Sequence, residues 1–142
     1  MRLVDANVLL YAVNTDAEHH DISRGWLDEA LSGAATVAFS WIALLAFVRL
    51  ATMTGLFPRP LSLNQAMDRV DAWLAAPPAV VLEPTADHAR IMRTLLGSAG
   101  VGGNLVNDAH LAALAIEHRA VVVSFDNDFG RFGGLRWERP GI

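Results

Sequence analysis

The sequence predicts one domain over residues 1–142, a three-layer α/β/α fold around a central parallel sheet of four to five strands. Short apolar runs alternate with longer helical patterns along the whole chain. The first apolar run stops at Asp5. A short apolar run that ends at an acid is typical of a buried parallel strand with the acid at its carboxyl end. A chain of 142 residues with 53% hydrophobic content is also long and apolar enough to build one core.

Short apolar and β-branched runs predict the strands. The first strand ends at Asp5, others are expected at 36–39, 80–82 and 121–123, and a short edge strand is expected at 135–137. Parallel strands are joined by right-handed crossovers, so the ends of the first and fourth strands are expected side by side where the sheet reverses direction.

Amphipathic patterns between these strands predict the helices. Ser40 is a cap for a helix that is apolar on nearly every side and has Arg49 as its only charge. Such a helix is either central or buried against a second chain, which suggests a homodimer. Ser62 and Gln65 form a capping box. Helices are expected at 8–13, 19–31, 41–53, 62–76, 85–96 and 105–119, with a glycine-rich loop at 97–104.

Composition excludes several kinds of chemistry. All eleven basic residues are arginine, so no reaction that needs a lysine can occur, and without cysteine there are no disulfides and no thiolate metal sites. No apolar run approaches the ~20 residues of a membrane span, and Asp5 interrupts the place of a secretion signal, which predicts a cytoplasmic protein. With a net charge of −4, the chain must gather arginines locally to bind nucleic acid.

Four acids are expected at one edge of the sheet. Asp5 follows the first strand, Asp126 and Asp128 follow the fourth, and Asp108 opens the helix that leads into the fourth. Carboxylates brought together repel one another unless cations lie between them. Oxygen ligands without cysteine or clustered histidine favour Mg²⁺ or Mn²⁺, and such ions commonly serve phosphate chemistry.

Each acid also has a structural explanation. Asp5 is a good N-cap for the helix that starts near Asn7. Asp108 complements the dipole of its helix, and residues 126–128 have the composition of a turn. Because three such clusters share one predicted edge, the functional interpretation is the stronger one.

Three segments together resemble the motifs of PIN-domain ribonucleases, most closely the VapC toxins of type II toxin–antitoxin systems. They are residues 4–9 (VDANVL), 107–115 (NDAHLAALA) and 124–129 (SFDNDF), in the order that the family has them. The resemblance covers nearly the whole chain. It implies a PIN-like fold and an Mg²⁺-dependent endoribonuclease that a cognate VapB-type antitoxin neutralises.

The resemblance also implies roles for the acids. By position, Asp5 and Asp108 would be the principal metal ligands and Asp126 a further one. Asp126 or Asp128 would orient or deprotonate the attacking water, which makes all four acids candidate catalytic residues.

Supporting residues and one departure complete the comparison with the family. Asn7 would steady the site and Ser124 matches the family's hydroxyl position, while Arg49 either contacts phosphate or pairs with a site aspartate. The family usually has a glutamate three residues before that arginine, and here Ala46 takes its place. Without this acid, a second metal ion is in doubt, and Asp128 or a water would have to complete the coordination. We therefore expect weak metal binding by the isolated protein.

Two other functions compete with this interpretation. An aspartyl-phosphate phosphotransferase or receiver domain would generally need a lysine, and a haloacid-dehalogenase-type phosphatase would need an aspartate where Asn7 stands. A catalytically weakened module that acts by binding RNA or a partner is the second, and Ala46 is its best support. Transfer, ribosomal and messenger RNA all remain open as substrates.

Overall fold

The structure, a computed structural model, describes residues 1–141 as alternating strands and helices. The strands are β1 (Arg2–Val4), β2 (Val37–Phe39), β3 (Ala79–Val81), β4 (Val121–Val123) and β5 (Trp137–Glu138). The helices are α1 (Ala6–Val13), α2 (His20–Leu31), α3 (Trp41–Thr52), α4 (Leu63–Ala75), α5 (His88–Ala99) and α6 (Leu105–His118). A 3₁₀ helix covers Asn127–Arg131.

All five strands form one parallel sheet in the order β3-β2-β1-β4-β5. In β1, Leu3 pairs with Ala38 of β2 on one side, and Val4 pairs with Val123 of β4 on the other. After β1, the chain adds β2 and β3 on one side of β1 and then crosses over to add β4 and β5 on the other side. This order confirms the predicted fold, and it makes the ends of β1 and β4 neighbours.

The two faces of the sheet carry separate apolar cores, because side chains alternate along each strand. Val4 and Phe39 face the first core, where they meet Phe47 of α3 and residues of α1, α2 and α4. Leu3 faces the second core, together with Leu114 of α6 and residues of α5. The helices therefore form the outer two of three layers.

Several predicted boundaries were wrong. The helix expected at 85–96 begins at His88 and continues to Ala99, so Gly97 lies within it and not in the loop. A helical glycine costs only about 1 kcal/mol relative to alanine, and here the chain leaves the helix at Gly100, where φ is +95°. The edge strand lies at Trp137–Glu138 and not at 135–137.

Helix α3 is apolar on both sides but only one side is covered. Leu44 and Phe47 are fully buried, whereas Trp41 is 44% and Leu45 62% exposed. The helix is therefore half embedded, with one side in the core and the other side exposed.

Within residues 1–141, no helix combines the length and the apolar character that crossing a bilayer would require.

Candidate active site

Asp5 lies where β1 passes into α1 and takes part in both elements. Its N–H donates to the carbonyl of Val123 (3.0 Å), which ties the end of β1 to β4. Its carboxylate caps α1 by accepting a hydrogen bond from the N–H of Ala6 (2.7 Å). The other oxygen accepts a hydrogen bond from Ser124 Oγ (2.7 Å). Asp5 is therefore the N-cap that its residue type suggested, and it also stands at the shared edge of the sheet.

A hydrogen-bond network centred on Ser124 connects the ends of β1 and β4. Asn7 donates from Nδ2 to Ser124 Oγ (3.1 Å) and accepts at Oδ1 from the N–H of Phe125 (3.3 Å). The same hydroxyl oxygen accepts from the N–H of Asp126 (3.0 Å). Since Ser124 is fully buried, its bonds hold the neighbouring carboxylates in fixed positions.

The segment after β4 forms a turn and also presents two acids. Asp126 caps the 3₁₀ helix by accepting a hydrogen bond from the N–H of Asp128 (2.9 Å). One carboxylate oxygen from each of Asp108, Asp126 and Asp128 lies within 4.8 Å of the other two. Arg131 Nε is 3.3 Å from Asp128 Oδ1, a solvent-exposed pair that neutralises little of this charge.

Asp108, in the first turn of α6, is the least satisfied member of the group. Its Oδ2 atom is buried and has no hydrogen-bond partner among residues 1–141. Burial, followed by the charges of Asp126, Asp5 and Asp128, raises the pKa of Asp108 to about 7.

Burial also raises the pKa of Asp5, although the hydrogen bonds from Ser124 and the Ala6 N–H oppose this effect and the Asp126 charge adds to it. Both aspartates therefore have a pKa above the ordinary value of the side chain. A divalent cation with a preference for carboxylate oxygens fits this donor set, since it would supply the missing partner of Asp108 Oδ2.

Three of the acids line a cavity of about 580 Å³ at the carboxyl ends of the strands. Its polar lining residues are Asp5, Asn7, Arg49, Asn104, Asn107, Asp108 and Asp126. Its hydrophobic lining residues include Tyr11, Ile42, Leu45, Leu50, Leu56, Phe57 and Leu111. Polar and apolar side chains therefore share one concave surface.

Arg49 and Ala46, both on α3, lie on the wall of this cavity. Within residues 1–141, the ion pairs do not include Arg49. Ala46 occupies the wall where the family usually has an acid, and no other carboxylate of α3 takes its place.

The structure places the three predicted metal ligands, Asp5, Asp108 and Asp126, on one cavity. The tightest group of oxygens contains Asp128 instead of Asp5, whose oxygens are already engaged. Sequence reasoning did not single out Tyr11, Asn104 or Asn107. A signal existed for Tyr11, because it follows Asn7 by four residues and so shares its face of α1.

Comparisons with known proteins identify the family of this chain. A family model described as PIN domain matches residues 2–135. Ribonuclease VapC37 of Mycobacterium tuberculosis is 64% identical over 140 residues, which cover 99% of this chain and 97% of that protein. Ribonuclease VapC43 of the same species is 39% identical over 140 residues, which cover 99% and 95%.

Solved structures share the fold at lower sequence identity. The structure of Rickettsia felis VapBC2 bound to a promoter DNA fragment has a TM-score of 0.70 at 22% identity, covering 98% of both chains. M. tuberculosis VapC20, described as a sarcin-ricin loop cleaving toxin, also has a TM-score of 0.70, at 18% identity and covering 96% of this chain and 99% of its own. The match of the family model over most of the chain and the 64% identity to a VapC ribonuclease show that this chain belongs to the PIN-domain family and, within it, to the VapC ribonucleases.

Proposed function

We propose that this protein is the toxin component of a type II toxin–antitoxin system and an Mg²⁺-dependent endoribonuclease that hydrolyses RNA phosphodiesters. One observation carries the proposal most directly. A buried oxygen of Asp108 has no partner and lies among other carboxylates on a cavity that also contains Arg49. Such an arrangement is costly unless a cation binds there, and the relatives named above are ribonucleases.

The residues that would hold the ion are Asp108 and Asp126, with Asp5 as a third ligand. Asp128 lies close enough to Asp108 and Asp126 to complete the coordination where Ala46 offers nothing. When bound, Mg²⁺ or Mn²⁺ polarises a phosphoryl oxygen and makes a bound water a stronger nucleophile.

The protein's own side chains position the substrate and move the proton. Asp126 or Asp128 orients the attacking water and accepts its proton. Arg49, which lines the same cavity and forms no ion pair within the described residues, contacts the scissile phosphate. Asn7 and Ser124 hold Asp5 in place through their hydrogen bonds.

The apolar residues of the cavity lining fit an antitoxin. We expect a VapB-type antitoxin to place an apolar helix face against Ile42, Leu50 and Leu56 and to direct a basic side chain toward Asp108. The exposed side of α3, which includes Trp41, is the surface that we assign to a homodimer. The cytoplasm, where RNA is accessible, is the proposed site of action.

Ala46 favours a second candidate, a module whose catalysis is weakened and which acts by binding RNA or a partner. A site with one acid fewer on its wall would bind metal less tightly. In that case RNA binding would persist without metal-dependent cleavage.

Incubation of the purified protein with total RNA, with Mg²⁺ or with EDTA, followed by mapping of new 5′ ends, tests the proposal. Asp5→Asn is the matched control, because asparagine still caps α1 but removes the charge. We expect discrete cuts that need Mg²⁺ and disappear in the variant. RNA binding without cutting would favour the second candidate. Equal cutting by the Asp5→Asn variant would refute the role assigned to Asp5 and the assignment of the activity to this site.

A further inference from the structure

Tyr11 is an aromatic residue on the wall of the cavity that contains the acids, and the proposed mechanism does not use it. It lies on α1 one turn after Asn7 and lines the same cavity as Asp5, Asp108 and Asp126. Its side chain is only partly buried, in a cavity where most other apolar walls are aliphatic. It therefore offers an aromatic surface next to the proposed reaction centre.

Two further rings lie beside Tyr11, and neither of them lines the cavity. Phe125 has its ring centre 5.5 Å from that of Tyr11, tilted by 49°. His19 stacks on Phe125 with ring centres 4.4 Å apart and planes within 8°, and lies 6.0 Å from Tyr11. His20 Nδ1 lies 2.8 Å from the carbonyl oxygen of Tyr11, which fixes the backbone at this point. The ring of Tyr11 is thus held in position before any ligand arrives.

The position of Phe125 connects these rings to the catalytic acids. Its own N–H donates to Asn7, and it stands between Ser124 and Asp126, which belong to the network at the strand ends. The aromatic group and the carboxylates therefore share one rigid support, and a displacement of one would displace the other.

We propose that Tyr11, backed by Phe125 and His19, is the stacking platform for an unpaired base next to the scissile phosphate. The inference rests on the proposed ribonuclease function and names the side chain that would position an unpaired base of the RNA at the cut. Sequence-tolerant recognition of unpaired RNA relies on bases that stack on aromatic side chains. A rigid ring is well suited to this task, because little conformational entropy is lost when the base binds.

A competing explanation is that the three rings only fasten the start of α2 to the end of β4. Both explanations predict that loss of the Tyr11 ring lowers activity. They differ in what happens when the base itself is removed from the RNA, because only a stacking residue interacts with that base.

The first experiment uses an RNA oligonucleotide that spans a mapped cut, with an abasic nucleotide placed at each position in turn. For the parent protein we expect kcat/KM to fall about tenfold at one position beside the cut, within the range for loss of one stacked base. Tyr11→Leu should lose about the same factor on intact RNA and lose nothing more on the abasic RNA. Tyr11→Phe, which retains the ring, should behave as the parent.

The second experiment measures stacking without cleavage. A single-stranded RNA with 2-aminopurine at the sensitive position, or scanned across the sequence if no cut is found, is titrated with the Asp108→Asn variant. We expect its fluorescence to be quenched on binding, and the quenching to be lost when Tyr11→Leu or Tyr11→Met is added to that variant. Melting temperatures of all variants exclude unfolding as the cause.

The outcomes separate the two proposals. Metal-dependent cleavage together with equal losses for Tyr11→Leu on intact and abasic RNA, or with unchanged quenching, would overturn the stacking role and leave the ribonuclease function standing. If no metal-dependent cleavage is found, the ribonuclease proposal fails, and the fluorescence titration alone decides whether Tyr11 stacks on a base.

Discussion

Asp108 and Glu117 lie on the same helix, α6, and their carboxylates have opposite environments. Glu117 accepts hydrogen bonds from the N–H and the hydroxyl of Thr85 (2.8 and 2.7 Å), and its other oxygen is 2.5 Å from His88 Nδ1. Burial alone would raise the pKa of Glu117, but these bonds outweigh it and hold the pKa below its ordinary value. Asp108 has a buried oxygen without a partner, and its pKa is raised to about 7.

The difference shows how to recognise a functional acid in a structure. Glu117, whose side chain is 1% exposed, is a complete structural contact that joins α6 to the start of α5. The unpaired carboxylate of Asp108 destabilises the folded protein. It contributes favourably only when a partner from outside the chain binds to it. Changes at the two positions should therefore have opposite consequences.

Of the changes proposed here, Asp108→Asn should have the largest effect. It should lower activity without lowering stability. We expect kcat/KM for RNA cleavage to fall about 10³-fold, the equivalent of roughly 4 kcal/mol, because a metal ligand and its charge are lost. The melting temperature of the metal-free variant should equal or exceed that of the parent, since repulsion with Asp126 and Asp128 is relieved. Thermal melting and cleavage assays on the same preparation check both statements, and a marked loss of stability would contradict them.

Glu117→Gln should have the converse effect. The amide cannot accept all the bonds of the carboxylate, so we expect a loss of about 2 kcal/mol in the free energy of unfolding. This corresponds to a fall of several degrees in melting temperature for a domain of this size. Cleavage per folded molecule at a temperature well below the transition should be unchanged. Chemical denaturation with an activity assay tests this, and a loss of activity at full folding would refute the contrast.

The two carboxylates should respond to pH in opposite directions. Because the pKa of Asp108 in the folded state is raised, its contribution to stability is full below pH 3.8 and is lost as pH rises toward about 7. The pKa of Glu117 is lowered, so its contribution is present above pH 4.5 and is lost as pH falls through the lowered folded value.

The melting temperature of the metal-free protein should therefore decrease by a few degrees between about pH 5 and about pH 8. Added Mg²⁺ should raise it more at the higher pH, because metal ligands must be deprotonated. Melting curves of the parent with and without Mg²⁺ measure this, and Asp108→Asn should flatten the slope. An equal Mg²⁺ effect at both pH values would argue against an ion at Asp108.

Of the changes proposed here, Ala46→Glu should have the smallest effect. It tests whether this position on the cavity wall faces the ion. Adding a carboxylate to the wall of the cavity that the acids line should tighten Mg²⁺ binding several-fold to about tenfold, or up to about 1.4 kcal/mol. The matched control Ala46→Gln has a similar shape without the charge and should not tighten binding. Calorimetric titration with Mg²⁺ compares the two, and equal affinities would show that this position does not face the ion.

The sequence determined the fold and the identity of the candidate acids, because both depend on local patterns. Apolar runs that end at Asp5 and at Ser124 mark buried strands, and the parallel crossover rule then brings their ends together. The caps at Ser40 and Ser62 were recognisable for the same reason, since a cap involves residues only three positions apart. Boundaries such as that of α5 were less accessible, because tertiary packing keeps Gly97 helical against its own preference.

Only the tertiary structure decided which carboxylates are satisfied and which are not. Asp108 and Glu117 are both acids on one amphipathic helix, and the sequence placed Asp108 at the site without showing which partners either carboxylate meets. Glu117 meets Thr85 and His88, whereas Asp108 meets the carboxylates of Asp126 and Asp128. The aromatic support of Tyr11 was likewise hidden, because Phe125 lies more than a hundred residues away in the chain. Burial and charge interactions depend on distances in space, and those distances are set when β1 and β4 pair.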